Sequence, residues 1–254
     1  MRKIGIISVI MAAYNAERTI REAIASVLSQ TYADWELVIV DDNSKDDTSL
    51  VVHEFTDSRI RYYVNENNRG AAETRIRAAT KAKGEWIAIL DSDDVWEKDK
   101  LEKQVCELET TDAGLCYTAY TFMQPNGVAI PWVFHVPKTV SFQKLLVQNI
   151  IGNSTAGVRR DLFLRYMEKD DSAHEDFTCW LKMLKAGTHA VGIDEPLMRY
   201  RLTTSSKSGN KWNAARMNWK TYRAIGLPWL QRVWVMLQYA VNGLNKHRHF
   251  VGKK

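Results

Sequence analysis

An apolar run at residues 86–90 leads directly into three closely spaced carboxylates, Asp91, Asp93 and Asp94. Carboxylates this close together repel one another, so the folded protein has to compensate their charge. Carboxylate oxygens are hard ligands that suit Mg²⁺ and Mn²⁺, and Mg²⁺ is commonly held by one or two carboxylates together with substrate phosphates. The spacing therefore favours a divalent-cation site that faces a phosphorylated ligand. A solvated acidic turn is the alternative.

Other cation- and phosphate-binding motifs do not fit this stretch. Asp91, Asp93 and Glu102 have the spacing of positions 1, 3 and 12 of an EF-hand, but Trp96 stands where that loop requires glycine. A strand-like run also precedes the cluster, where an EF-hand has a helix. The chain contains neither the GxxxxGK[ST] pattern of a P-loop nor the GxGxxG turn of dinucleotide-binding folds.

Strand-like and helical patterns alternate in the residues around this cluster. The apolar runs are Ile4–Ile10, Trp35–Val40, Ile60–Val64 and Trp86–Leu90, and the helical patterns cover about 16–29, 47–55 and 71–82. Strands that alternate with helices predict an α/β fold with a mostly parallel sheet covered on both faces. In such sheets ligands bind beyond the carboxyl ends of the strands, where Tyr14, Asp41, Asp42 and the acidic cluster are expected.

The rest of the chain has a less regular pattern. Helices are predicted at 98–109, 141–148, 160–168 and 175–186, strands at about 115–122, 188–193 and 197–202, and a turn at Asn126–Gly127. Residues 203–210 are rich in serine, threonine and glycine, which predicts a mobile loop. Two further helices are predicted at about 211–225 and 229–244.

The composition is that of a globular protein with reduced thiols. Of its 254 residues, 45% are hydrophobic, which is enough for a packed core. Cys106, Cys116 and Cys179 are odd in number and far apart, which favours buried thiols over a disulfide framework or a zinc site. Residues 1–13 imitate a secretory signal, but the short apolar run continues into a helical pattern and is interpreted as a first strand. No run reaches the roughly 18 apolar residues of a membrane-spanning helix.

The C-terminal segment is strongly basic. Residues 1–195 contain 23 Lys and Arg against 30 Asp and Glu, whereas residues 196–254 contain 12 Lys and Arg and no acidic residue. Four tryptophans also lie here, and apolar residues keep helical spacing over 229–244. Basic residues with aromatic side chains are typical of a helix lying in a membrane surface. Packing of the apolar stripe on the domain is the alternative, and nothing else in the chain supports nucleic-acid binding.

Taken in order along the chain, the motifs resemble those of the family 2 inverting glycosyltransferases. The matching segments are SVIMAAYN at 8–15, LSQT at 28–31, ELVIVDDNS at 36–44, GEWIAILDSDD at 84–94 and HED at 174–176. The resemblance covers about residues 4–202. It implies a GT-A fold, a Rossmann-like sheet with flanking helices, here followed by a C-terminal helical extension. It also implies a nucleotide-activated sugar as the donor.

The resemblance further implies which residues bind the nucleotide sugar. Tyr14 stands where the family often stacks an aromatic ring on the nucleobase, and Asp42 where it accepts the imide N–H of uracil, which favours a uridine donor. Arg75 lies in TRIRAA where many relatives have A-R-N, and Thr203 replaces the histidine of Y-R-x-H. Arg201 or Lys211 is therefore expected to take over the diphosphate contact. The implied nucleotide-sugar-binding residues are Ala13, Tyr14, Asp42, Arg75, Asp91, Ser92, Asp93, Arg201 and Lys211.

The metal site and the reacting groups are implied in the same way. Mn²⁺ or Mg²⁺ is expected on Asp93 and Asp94, while the division of metal and ribose roles among these two and Asp91 stays open. Asp176 is implied as the general base, which removes the proton of the acceptor hydroxyl as that oxygen attacks the anomeric carbon. The residues implied to orient the site or face the acceptor are Glu175, Asn153 and Ser154.

Together these inferences predict a metal-dependent inverting glycosyltransferase that moves a sugar from a UDP donor to a hydroxyl of a lipid-linked glycan. The expected process is synthesis of a bacterial surface polysaccharide such as O-antigen, capsule or teichuronic acid. Residues 1–210 are expected to form the catalytic domain, with a nucleotide-binding part at about 1–110 and an acceptor part at about 111–210. The tail, 211–254, is expected to hold the enzyme on the inner face of the cytoplasmic membrane, in the cytoplasm and without a nucleic-acid partner. The alternatives are a nucleotidyltransferase that makes the sugar nucleotide and a non-catalytic glycan-binding module.

Overall fold

The computed structural model describes residues 3–202 and 211–251, with side chains described for residues 3–202 and 212–240. The predicted mobile loop at 203–210 and the side chain of Lys211 therefore lie outside the described part of the chain.

Strands and helices alternate in the described residues. The strands are β1 (Ile7–Ala13), β2 (Trp35–Asp41), β3 (Ile60–Val64), β4 (Trp86–Ile89), β5 (Val95–Trp96), β6 (Leu115–Met123), β7 (Ala129–Phe134), β8 (Gly157–Arg159) and β9 (Ala190–Arg201). The helices are α1 (Ile20–Leu28), α2 (Thr48–His53), α3 (Ala71–Lys81), α4 (Lys100–Thr110), α5 (Phe142–Val147), α6 (Arg160–Tyr166), α7 (Glu175–Lys185), α8 (Lys211–Ala224) and α9 (Trp229–Val251). A short 3-10 turn covers Asn153–Thr155.

One sheet contains all of these strands, in the order β3-β2-β1-β4-β8-β6-β9-β5, with β7 paired to β6. The pairs β1–β2, β1–β4 and β2–β3 are all parallel, as the alternation of strands and helices predicts. Strand β8 is antiparallel to both β4 and β6, and β5 and β7 are antiparallel to their partners. The sheet is therefore parallel in its first half and mixed in its second, where β6 and β9 are again parallel.

An apolar layer covers each face of the sheet. Neighbouring residues of a strand point to opposite faces, and Val9 and Ile10 accordingly belong to different layers. The layer of Val9 packs α1 and α4 on the sheet, and the layer of Ile10 packs α3, α6 and α7. Burial on both faces explains why runs such as 37–40 are continuously apolar rather than alternating.

The two C-terminal helices pack against the rest of the molecule on one side only. Helix α8 contacts α7, and α9 contacts both α5 and α8. Val235 of α9 is buried on the inner side. The outer side of α9 exposes large apolar side chains at helical spacing, namely Trp229, Leu230, Val233, Trp234 and Leu237. Among the described residues, no helix has both the length and the apolar character of a transmembrane segment.

The structure differs from the sequence-based expectation in four strands. Strands β5, β7 and β8 are not predicted, and β5 and β8, with two and three residues, are too short to show a periodic pattern. The predicted strands at 188–193 and 197–202 are one strand, β9, whose register against β6 shifts near Ala119. The predicted division of the catalytic domain at residue 110 stays a prediction, although the sheet takes strands from both of its parts.

Candidate active site

Two interlocked loops follow β1 and β2, whose last residues, Ala13 and Asp41, pair in register. Asn15 has a φ of 49°, in the left-handed region that asparagine tolerates better than most residues. Its backbone N–H donates to Ser44 Oγ at 2.9 Å, and its Oδ1 accepts from the backbone N–H of Lys45 at 2.8 Å. These bonds fix the loop that carries Tyr14, whose side chain is 51% exposed and available to a planar ligand.

Asp42 is buried under the second of these loops and accepts three hydrogen bonds. Its carboxylate accepts from the backbone N–H groups of Arg69 and Gly70, both at 2.8 Å, and from Asn65 Nδ2 at 2.7 Å. Asp41, its neighbour, accepts from the hydroxyl of Tyr62 at 2.6 Å. Asp42 therefore orders the start of α3 in this structure, and its predicted contact with a uracil imide stays a prediction.

Asp91, directly after β4, is held from two sides. Arg75 Nη2 of α3 donates to Asp91 Oδ1 at 2.6 Å, and Asn153 Nδ2 donates to both carboxylate oxygens at 2.9 and 3.1 Å. The backbone N–H of Asp91 donates to Ser154 Oγ at 3.1 Å. Burial alone would raise the pKa of Asp91, but the charge of Arg75 and the hydrogen bonds outweigh it and lower the pKa. Asp91 is thus a fixed anion.

Asp93 and Asp94 are the carboxylates of the cluster whose charge is least compensated. Burial, together with repulsion from Asp91, raises the pKa of Asp93 to about 6. Burial, with repulsion from Asp93 and Asp91, raises the pKa of Asp94 well above its ordinary value. A cation beside these oxygens would relieve both effects, so the donor set fits the implied Mn²⁺ or Mg²⁺. Within the described residues no group of three or more His, Cys, Asp or Glu side chains is arranged to hold a metal ion. Mg²⁺ is commonly held by one or two carboxylates together with substrate phosphates and water.

Arg201, at the end of β9, binds the acidic turn. Its backbone N–H donates to Asp94 Oδ1 at 3.0 Å, and its side-chain Nε donates to the backbone carbonyl of Asp93 at 2.8 Å. Its Nη1 and Nη2 donate to the Pro125 carbonyl at 3.1 Å and to Glu22 Oε2 at 2.7 Å. The guanidinium is therefore used inside the protein, where it positions the turn. The predicted contact of Arg201 with a diphosphate stays a prediction that would require some of these bonds to break.

Asp176 lies in the first turn of α7, beside Glu175. Burial, followed by repulsion from Glu175, raises the pKa of Asp176 to about 7. The backbone N–H of Phe177 donates to Asp176 Oδ1 at 2.7 Å and fixes the carboxylate. A carboxylate that titrates near neutral pH is well suited to general base catalysis.

Arg75 joins the acidic turn to α7. Its Nη1 donates to Glu175 Oε1 at 2.8 Å, while its Nη2 holds Asp91. Burial would lower the pKa of this arginine, but the charges of Asp91 and Glu175 outweigh it, so the pKa is raised and the guanidinium stays charged. One side chain therefore links Asp91, which follows β4, to Glu175, the residue next to the proposed base Asp176. The predicted nucleotide contact of Arg75 stays a prediction, because its two donors shown here go to protein carboxylates.

A buried group beneath the site is not among the sequence predictions. Trp96 Nε1 donates to the carbonyl of Ser154 at 2.7 Å, and Gln104 Nε2 donates to the carbonyl of Thr155 at 3.0 Å. Lys100 Nζ donates to Gln104 Oε1 at 2.6 Å and lies 3.9 Å from the centroid of the Trp96 ring. These side chains support the turn that carries Asn153. The sequence signal for this group is a lysine at an inward-facing position of the predicted helix 98–109. Such a lysine matches no motif, so the sequence does not predict its role.

The remaining predicted residues have the following positions. Ala13 is buried at the end of β1, and Ser92 is partly exposed in the acidic turn. Asn153 and Ser154 contact Asp91, and their expected position facing the acceptor stays a prediction. Lys211 has no described side chain.

This arrangement brings Tyr14, Asp42, the acidic turn and Asp176 to the part of the molecule where the strands β1, β2 and β4 end. Residues 8–166, more than half of the chain, match Glycosyl transferase family 2. The chain therefore belongs to this glycosyltransferase family, and the alternatives of a nucleotidyltransferase and a non-catalytic module are not supported.

Two relatives match along almost the whole chain. One is TuaG of Bacillus subtilis (strain 168), which is named as a putative teichuronic acid biosynthesis glycosyltransferase. It is 36% identical over 244 residues, covering 95% of this chain and 97% of the relative. WfgD of Escherichia coli, named as a UDP-Glc:alpha-D-GlcNAc-diphosphoundecaprenol beta-1,3-glucosyltransferase, is 37% identical over 243 residues, covering 95% of each.

Solved structures share the fold. Staphylococcus aureus TarS (residues 1–349) with UDP superposes with a TM-score of 0.70 at 20% identity, covering 96% of this chain and 72% of that one. The mannosyltransferase PcManGT from Pyrobaculum calidifontis, with GDP-Man and Mn²⁺, superposes with a TM-score of 0.68 at 19% identity, covering 92% of this chain and 73% of that one. The predicted GT-A fold is thereby confirmed.

Proposed function

We propose that this protein is an inverting glycosyltransferase that moves a sugar from a UDP donor to a hydroxyl of a lipid-linked glycan. The reaction would belong to the synthesis of a bacterial surface polysaccharide. The observation that carries the proposal is the placement of Asp176, with a pKa raised to about 7, beside the acidic turn and linked to it through Glu175 and Arg75.

In the proposed reaction Asp176 accepts the proton of the acceptor hydroxyl. The Phe177 N–H fixes Oδ1, and Oδ2 is the oxygen assigned to the proton. The acceptor oxygen attacks the anomeric carbon from the face opposite the diphosphate, and the C–O bond to the diphosphate breaks in the same displacement. One displacement inverts the anomeric configuration, so the enzyme supplies no nucleophile and acts by orienting two substrates.

The divalent ion of the proposal supplies positive charge to the diphosphate leaving group when it is bound. Asp93 and Asp94 are the residues that would hold it, as the donor set allows. Tyr14 and Asp42 are assigned to the uracil end of the donor. The names and ligands of the relatives support these assignments, because WfgD is named for a UDP-Glc donor and TarS is solved with UDP.

The acceptor is assigned as a lipid-linked saccharide because WfgD is named for a diphosphoundecaprenol acceptor. The position of α9 supports this assignment. The ring of Tyr239, on α9, lies 6.4 Å from the ring of Phe177, the residue next to Asp176. The opposite side of α9 exposes its apolar stripe, so the proposed base and the proposed membrane face are separated by about one helix diameter, ~10–12 Å.

We accordingly propose that the enzyme works in the cytoplasm, peripherally on the inner face of the membrane. The exposed apolar side chains of α9, in a segment with 12 Lys and Arg and no acid, would insert between anionic headgroups. In sedimentation with phosphatidylglycerol vesicles, Leu237→Glu should reduce binding at least several-fold. Leu50→Glu is the matched control, because Leu50 is also exposed, on α2. Equal binding of both variants and wild type would contradict the membrane proposal.

The catalytic proposal is tested by replacing the base. Asp176→Asn should reduce transfer to GlcNAc-diphosphoundecaprenol by at least about 100-fold, the lower range for general base catalysis, while UDP binding measured by calorimetry stays within twofold. Asp161→Asn is the control, because Asp161 is an exposed carboxylate on α6 that pairs with Arg159, the last residue of β8. Wild-type transfer by the Asp176 variant would remove Asp176 from the mechanism.

A further inference from the structure

Five aromatic rings from β6, β7 and β9 form one cluster, which we call the aromatic shelf. Its members are Tyr120, Phe122, Trp132, Phe134 and Tyr200. Tyr120 stacks on Phe134 with ring centroids 4.9 Å apart, and Phe122 lies 4.9 Å from Trp132 and 5.9 Å from Tyr200. Phe122 and Phe134 are buried, whereas Tyr120, Trp132 and Tyr200 are half-buried and keep part of their surface accessible.

The shelf lies directly against the active site. A Cβ placed on Gly152 would stand 3.6 Å from Tyr120 Cε1, and Gly152 precedes Asn153, which donates to Asp91. At the other end, Tyr200 precedes Arg201, which holds the turn of Asp93 and Asp94. The shelf therefore lies beside the 3-10 turn that holds Asp91, and its Tyr200 is the neighbour in sequence of the residue that holds Asp93 and Asp94.

The charges of the acidic turn and of the proposed base act on the Tyr200 hydroxyl. Burial raises the pKa of this phenol, and after burial four carboxylates raise it further, namely Asp94, Asp93, Asp91 and Asp176. Burial followed by the charges of Tyr200 and Asp94 likewise raises the pKa of Tyr120. These shifts agree with the contacts that place the shelf beside the site.

The sheet order puts the shelf on the side of the cleft away from the proposed nucleotide end. Tyr14 and Asp42 follow β1 and β2, which lie on one side of β4. Strands β6, β7 and β9, which carry the shelf, lie on the other side, beyond β8. The acidic turn after β4 is in the middle, so a ligand on the shelf would approach the anomeric carbon from the side opposite the nucleobase.

We propose that the aromatic shelf binds the saccharide of the acceptor next to the hydroxyl that is glycosylated. This inference rests on the proposed function and adds a subsite to it. A pyranose ring has an apolar C–H face and a rim of hydroxyls, and a Trp or Tyr ring offers an apolar face with a polar edge that matches both. Trp132 packs on the C–H face of the sugar, and the Tyr200 hydroxyl hydrogen-bonds its rim. The shelf selects acceptors that carry a flat, equatorially substituted sugar at this position.

The inference is tested with Trp132→Leu and Tyr200→Phe in the full chain. With GlcNAc-diphosphoundecaprenol as acceptor, we expect the acceptor KM of Trp132→Leu to rise about tenfold, which corresponds to ~1.4 kcal/mol. The acceptor KM of Tyr200→Phe should rise about three- to tenfold. The donor KM and the slow UDP release without acceptor should stay within twofold of wild type. Leu50→Ala is the control, since Leu50 is an exposed apolar side chain on α2, and it should behave as wild type with the same acceptor.

A second measurement does not depend on turnover. Saturation-transfer NMR with methyl N-acetylglucosaminide should show transfer to the sugar C–H protons in wild type and its loss in Trp132→Leu, with thermal unfolding within a few degrees of wild type. Saccharide binding that survives in folded Trp132→Leu, or an equal rise of donor and acceptor KM, overturns the shelf. A third outcome is that the wild-type protein binds the saccharide, Trp132→Leu abolishes this binding, and the wild-type protein transfers no sugar. That outcome supports the saccharide-binding shelf and refutes only the proposed function.

Discussion

Removing the positive charge of Arg75 should destabilise the fold and separate the two halves of the site. Arg75 is almost completely buried on α3, and the side chains of its partners Asp91 and Glu175 are 26% and 10% exposed. Arg75→Met keeps the volume and the helix propensity of the side chain, but it leaves two carboxylates without their cation near three others.

The magnitude follows from the burial of the pairs. Removing one partner of a buried ion pair typically costs about 3–5 kcal/mol of unfolding free energy, because an uncompensated charge stays behind. For a chain of this size that corresponds to a melting temperature lower by roughly 6–20 °C. Loss of the Arg75 charge also removes an influence that lowers the pKa of Asp176, so the pH at which transfer is half-maximal should move upward.

Urea unfolding measures the effect best in the presence of a chelator, so that a divalent ion cannot replace the arginine charge. Adding Glu175→Gln to Arg75→Met should recover part of the loss, on the order of 1–2 kcal/mol, because one of the two stranded charges is then absent. Glu168→Gln is the control, because Glu168 is paired with Lys182 at the surface. An Arg75→Met protein within 1 kcal/mol of wild type, with an unchanged pH profile, would refute the view that Arg75 compensates both carboxylates.

Three further outcomes are expected. At saturating metal and substrates, kcat should rise tenfold per pH unit below about pH 7 and level off above it, because Asp176 must lose its proton, and a flat kcat profile would exclude Asp176 as the base. The same raised pKa means that the contribution of Asp176 to the unfolding free energy falls as pH rises from about 4 to 7. A chelator should abolish transfer, and Mn²⁺ or Mg²⁺ should restore it; activity that is stable in chelator would contradict the metal assignment. Burial lowers the pKa of Lys100 from 10.5 to about 7. Protonating this side chain therefore lowers the unfolding free energy at pH values below 10.5, and the reduction is largest below pH 7. Lys100→Met should therefore be more stable than wild type at pH 6, by ~2 kcal/mol or more, with a gain that shrinks toward pH 10; the opposite trend in urea unfolding would show that the ammonium stabilises the fold.

Much of the fold was predictable from sequence because its first half obeys one rule. Parallel strands buried on both faces leave continuous apolar runs, and their carboxyl ends must meet at one sheet edge. The ends of β1, β2 and β4 do so, which is why the positions of Tyr14, Asp42 and Asp91 could be foreseen. The antiparallel strands β5 and β8 could not be, because their few residues are set by pairing with segments about 40–105 positions away rather than by local pattern.

The roles of individual side chains were harder to predict than their places. The resemblance implies a diphosphate contact for Arg201 or Lys211, which stays a prediction, while pairing between β5 and β9 brings Arg201 onto the backbone of the acidic turn. The expected acceptor contact of Asn153 also stays a prediction, while the 3-10 turn directs this side chain to Asp91. Both observed contacts join segments at least about 60 residues apart, which spacing along the chain does not encode.

The bonds of Arg201 have a consequence for biosynthesis. The turn at Asp93 and Asp94 is complete only when a residue more than 100 positions later reaches it, and the same guanidinium ties down Glu22 and Pro125. As the polypeptide leaves the ribosome, the first strands and helices can pair while the cation-binding loop is still unfinished. A nascent or truncated chain that stops before β9 would then lack the finished turn. The enzyme would therefore become active only near the end of translation.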